Sequence, residues 1–240
     1  MKATIAVLGA LLLSGCASNG ATPWTAMTGA GSCAKLTSDQ ELAMNLADDM
    51  GSDGKLHASL ANLEKLPDNL NEVRLRKARV YRLLGRSEAE PLYRSLIGSC
   101  VSAEAEHGLG QLYAARGDND QAQAHLQRAA RLAPTNEKIR NDLGVVYLNQ
   151  LRLEEARFEF LTAIELKQSD QLASVNLVTL LIYQDNWQQA AEVVSKSGLS
   201  PQQFTAAQAH AERLKAPAKA RPVAGAQVAA ITDTQPASLK

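Results

Sequence analysis

The side chains best suited to covalent or metal chemistry are three cysteines, Cys16, Cys33 and Cys100, and four histidines, His57, His107, His125 and His210. Metal or redox chemistry would favour a C-x-x-C pair, or two histidines four apart with a glutamate between them. Neither arrangement occurs. G-x-S-x-G and P-loop patterns are missing as well. The carboxylate pair Glu154-Glu155 falls at an expected helix start, where negative charge complements the helix dipole and needs no acid–base role. The histidines are expected at solvated helix positions. These residues predict no enzyme, no resident metal and no cofactor.

Residues 1–15 read as a leader rather than part of a fold. Lys2 gives a positive start, and Ala3 to Leu13 form an apolar run of eleven residues. That falls short of the roughly 20 residues a helix needs to span a bilayer. The run ends in Leu13-Ser14-Gly15-Cys16, which resembles the lipobox of bacterial lipoproteins. The resemblance implies cleavage before Cys16 and acylation of that cysteine. With Ala17 next, it also implies a lipid-anchored place at the outer membrane, facing the periplasm. Several acyl chains give stable anchoring where one would not. With Cys16 acylated, two thiols remain in an oxidising compartment, which suggests a Cys33–Cys100 disulfide. The alternative is two unpaired small apolar side chains.

The elements that position these residues are helical. Apolar residues make up 45% of the chain but aromatics only 4%, with Ala and Leu dominant, a balance that favours close-packed helices over sheets. The formal net charge is zero, so no overall field draws the chain to nucleic acid. Residues 16–35, rich in Ala, Ser, Gly and Thr, read as a flexible tether. Residues 216–240, broken by Pro217, Pro222 and Pro236, read as a disordered tail. Between them the sequence repeats. Leu109, Gly110, Tyr113, Ala122, Leu126 and Ala129 recur 34 residues later as Leu143, Gly144, Tyr147, Ala156, Phe160 and Ala163. A further 34 gives Leu177, Val178, Leu181, Ala190 and Val194. Weaker units precede these at 69–102 and 36–68, and Ser200-Pro201 opens a final amphipathic helix carrying Phe204, Ala207, Ala211 and Leu214.

A fixed period of this length marks stacked helical hairpins, none of which can bury its apolar face alone. The residues resemble the tetratricopeptide repeat (TPR) pattern. The expected architecture is an all-α, TPR-like α-solenoid of about five hairpins plus a C-terminal capping helix over 36–215, flanked by flexible tails. The apolar helix around Leu172, Leu177, Leu180 and Leu181 must be covered by that capping helix or by a partner.

The TPR resemblance implies a groove lined by the first helix of each hairpin. Mapped here, its positions are His107 and Gln111; Asn141, Val145, Leu148 and Asn149; then Val175, Asn176, Thr179, Ile182 and Tyr183. Amides among apolar pockets suit a peptide segment of a protein partner. The alternative for Val145, Leu148, Val175 and Ile182 is inter-repeat core. Asn141-Asp142-Leu143-Gly144-Val145, Asn176-Leu177 and Trp187-Gln188-Gln189-Ala190-Ala191 resemble the TadD family, the TPR lipoproteins of the tight-adherence (Flp) pilus machinery. Type IV pilotins are similar almost as well. The resemblance implies a scaffold that assists assembly or stability of an outer-membrane secretin or another pilus-assembly component. The rival expectation is a periplasmic TPR adaptor recruiting envelope proteases or murein enzymes.

Overall fold

The computed structural model describes residues 33–169 and 171–216. The leader, the lipidation residue Cys16, most of the expected tether and the tail after residue 216 lie outside them. Among the described residues there are eleven α-helices and no strand: α1 Ser38–Ser52, α2 Leu56–Leu63, α3 Asn71–Leu83, α4 Ala89–Arg94, α5 Ser102–Ala115, α6 Asn119–Leu132, α7 Glu137–Asn149, α8 Leu153–Leu166, α9 Gln171–Tyr183, α10 Trp187–Ser197 and α11 Pro201–Lys215. They form five consecutive hairpins followed by a single helix.

Local sequence sets many of the boundaries. Thr37 and Ser200 form capping boxes with Gln40 and Gln203, each side chain satisfying the other residue's free backbone N–H. Asp118, Asn136 and Asn186 accept from first-turn N–H groups of α6, α7 and α10. Pro201 takes the first position of α11, where its missing N–H costs nothing. The turns inside the hairpins need one residue in the left-handed region, and its place keeps the repeat: Gly117, Leu151 and Asp185, at φ 78°, 59° and 59°. Gly54 and Gly85 do the same in the first two hairpins.

The repeated small residues mark close approach within each hairpin. A Cβ on Gly110 would lie 2.5 Å from Leu126 Cγ, and one on Gly144 would lie 2.6 Å from Phe160 Cε1. Ala122, Ala156 and Ala190, the matching positions of the second helices, are fully buried. At the second recurrence Val178 replaces the glycine and Val194 replaces the large partner. Two side chains of middle size there share the space that one large side chain fills in the earlier repeats.

Each second helix packs on the first helix of the next hairpin: α2 on α3, α4 on α5, α6 on α7 and α8 on α9. The first helices also meet one another in the series α1, α3, α5, α7, α9. A stack in which first helices touch and second helices are splayed by the next hairpin curves toward the first helices. The series ends at α9, which carries ten buried residues in thirteen and packs against α7, α8, α10 and α11. Helix α11 runs alongside it in the same direction. Gln203 Nε2 donates to Gln171 Oε1 at 3.0 Å at one end, and Lys215 pairs with Asp185 at 2.5 Å at the other. The apolar helix is therefore covered by the chain itself.

Candidate partner-binding face

A ladder of polar side chains crosses the first helices from α5 to α9. His107 Nε2 lies 2.6 Å from Asp142 Oδ2, and Gln111 Nε2 donates to the same oxygen at 2.7 Å. Asn141 Nδ2 donates to Asp142 Oδ1 at 3.2 Å, and Asn176 Nδ2 donates to Asn141 Oδ1 at 2.8 Å. Burial works against the charge of Asp142. The hydrogen bond and charge of His107, with the amides of Gln111 and Asn141, outweigh it and hold the carboxyl below its ordinary value. An ionised carboxylate only accepts, so Nε2 of His107 carries a proton. The ladder locks α5, α7 and α9 in register through directional bonds.

The structure divides the expected groove residues into two groups. His107, Gln111, Val145, Asn149 and Tyr183 keep partial access to solvent. Asn141, Leu148, Val175, Asn176, Thr179 and Ile182 are buried. These six lie inside the helical packing rather than on an open face. Leu148, Val175 and Ile182 fill the core that joins the last three hairpins. Thr179 Oγ1 donates to the carbonyl of Val175, one turn back in α9. For the four on α9 the reason is the route of α11. A first helix normally keeps one face toward the groove, but α9 has helices on four sides. Accessible inner-face side chains are thus concentrated on α5 and α7.

The histidines also depart from expectation. His57 is exposed, but His125 is only 3% exposed and His107 is tied to Asp142. His125 Nδ1 lies 2.6 Å from Glu106 Oε2, and Arg128 Nε donates to Glu106 Oε1 at 2.9 Å. The His125 ring stacks on Tyr113, with centroids 5.3 Å apart. The Tyr113 hydroxyl donates to Glu90 at 2.7 Å, where Arg116 and Arg94 also pair. The tyrosine and arginine bonds hold Glu90 down at about 2. His210 on α11 is half-buried, and burial with the nearby Arg213 charge pushes it down to about 4. Sequence reading missed Asp142, Glu106 and Glu90 because His107, His125 and Tyr113, which meet them, lie on other helices. Trp187 stands 48% exposed at the start of α10.

Cys33 and Cys100 are joined in a disulfide with their Cα atoms 5.2 Å apart. It pins the residues just before α1 to the α4–α5 connection. Residues 33–35, expected in the tether, are held there, and Cys33 packs against the core of the second hairpin.

A stack of helical hairpins with an inner polar ladder and partly open first helices is a repeat scaffold of the protein-binding class. The TPR repeat family pattern matches residues 110–150. A TPR repeat-containing protein of Pseudomonas aeruginosa is 42% identical over 213 residues, covering 88% of this chain and 85% of that one. The chain belongs to the TPR repeat proteins. Solved structures share the fold at lower identity. PilF of Pseudomonas aeruginosa matches at a TM-score of 0.58 and 14% identity, over 71% of this chain and 87% of that one. A MamA protein matches at 0.52 and 20%, over 63% and 91%. YrrB, described as a TPR protein with an unusual peptide-binding site, matches at 0.50 and 21%, over 71% and 90%.

Proposed function

We propose that this TPR scaffold works at the outer membrane, anchored through acylated Cys16 and facing the periplasm. It binds a protein component of a pilus or secretion machine, with a secretin as the leading partner, in the manner of a pilotin or of the TadD lipoproteins. The observation that carries the binding reading is the run of accessible side chains, His107, Gln111, Val145 and Asn149, on the two adjacent first helices α5 and α7. Amide and imidazole groups there can meet a peptide backbone while Val145 supplies an apolar contact. The lipobox at Leu13-Ser14-Gly15-Cys16 supports the location, and the TadD resemblance around Asn141 and Asn176 supports the partner.

Two strains test the proposal, one lacking the chain and one carrying Cys16→Ala. Both are expected to lose secretin multimers and surface pili. Normal multimers and pili in both would remove the secretin reading. If affinity purification then returned envelope proteases or murein enzymes while pili were intact, the adaptor reading would replace it.

A further inference from the structure

The disulfide corner holds a third chemically capable group. A carboxylate oxygen of Glu72, one sulfur of Cys33 and one of Cys100 all lie within 4.8 Å of one another, and all three residues are half-buried. Glu72 Oε2 is buried with no hydrogen-bond donor among the described residues. The amide of Asn71 also reaches the bridge, with Nδ2 3.6 Å from Cys100 Sγ. A carboxyl oxygen buried without a donor is costly unless a donor or a cation completes it. While the sulfurs are bonded to each other, neither has a proton to offer it.

We propose that reduction of Cys33–Cys100 converts this corner into a binding site for a thiophilic divalent cation of the Zn²⁺ class, with Cys33, Cys100 and Glu72 as ligands. A dithiol supplies the electrons: the S–S bond breaks, two thiols form, and the reductant leaves as its own disulfide. Zn²⁺ then displaces both thiol protons to solvent and takes two thiolates and one carboxylate. Sulfur at about 2.3 Å and oxygen at about 2.0–2.2 Å are ordinary zinc distances. A tetrahedron with such bonds sets its sulfurs about 3.8 Å apart. Cleaving the S–S bond permits that separation with a small outward movement of Cys33, which precedes α1 rather than lying within a helix. The fourth position falls to water. The cation supplies the positive partner that Glu72 Oε2 lacks, so oxidised and metal-bound states become alternatives at one place.

The full chain in a Cys16→Ser background removes the third thiol from the measurement. Reduction by a non-chelating phosphine is followed by titration with Co²⁺. The expected result is one equivalent bound, with thiolate-to-cobalt charge-transfer absorption and tetrahedral bands, displaced by Zn²⁺ and absent in the oxidised protein. Glu72→Gln should weaken binding by at least about tenfold while leaving the disulfide able to form. No absorption change when Co²⁺ is added to the reduced protein would overturn the proposal. So would a Glu72→Gln protein that binds as tightly as its parent, since the metal would then be held by mobile thiols alone.

Discussion

Gly144 on α7 lies beneath the ring of Phe160 on α8, so close that an added methyl would sit 2.6 Å from Cε1. Gly110 and Leu126 stand in the same relationship one repeat earlier, while Val178 and Val194 occupy the matching positions one repeat later. Gly144→Ala should therefore destabilise the protein by about 1–3 kcal/mol through overpacking. Adding Phe160→Val should return part of that loss, with a coupling of about 1 kcal/mol or more. Denaturant unfolding of the two single variants and the double variant measures it. Strictly additive losses would show that the two side chains do not share the space.

Leu151 carries φ 59° at the turn position where Gly117 stands one repeat earlier. A branched side chain in the left-handed region costs roughly 1–2 kcal/mol, and glycine removes that cost at the expense of chain entropy. The Leu151 side chain is 40% exposed, so little packing is lost. Leu151→Gly should raise stability by about 0.5–1 kcal/mol, read as a thermal midpoint higher by about 1–4 °C. A lower midpoint would mean that the side chain contributes more than the backbone strain removes.

Glu106 sits between His125 and Arg128 with its side chain only 4% exposed. Glu106→Ala leaves a buried imidazole and a guanidinium without their acceptor, and should cost about 3 kcal/mol. Glu106→Gln keeps one acceptor oxygen and should cost less. A loss under about 1 kcal/mol for the alanine variant would place the network outside the fold's stabilising core.

Acid should weaken the fold in two separate windows. His210 is held near 4 in the folded chain against 6.5 as its ordinary value. The unfolded chain therefore binds the proton first, and stability falls as pH drops from 6.5 toward 4. Glu90 is held near 2 against 4.5, so its contribution is complete above 4.5 and lost as pH falls from there toward 2. His210→Gln should flatten the upper window and Glu90→Gln the lower one. Stability measured against pH checks both, and an upper window unchanged in His210→Gln would reassign it to another group.

Much of the architecture was legible because it is local and periodic. Leu109, Gly110, Ala122 and Leu126 recur at a fixed interval, and a hairpin that cannot bury its own apolar face must stack on its neighbours. Caps such as Ser200-Pro201 and the hairpin turn at Gly117 act within a few residues, so they can be seen in the sequence itself. The groove was legible only as a set of positions. Family geometry assigns Val175, Thr179 and Ile182 to an inner face, but their exposure depends on where a helix nearly 30 residues further on comes to rest.

The sequence alone determined the all-helical repeat, the start of its last helix and the small residues that let paired helices touch. Only the tertiary structure decided which inner-face side chains remain accessible, that His107 and Gln111 share Asp142, and that Glu72 stands beside the Cys33–Cys100 bridge. The physical reason is range. Caps, turns and helical periodicity operate over one or two turns of chain, whereas burial and charge pairing depend on which distant segments the stack brings into contact.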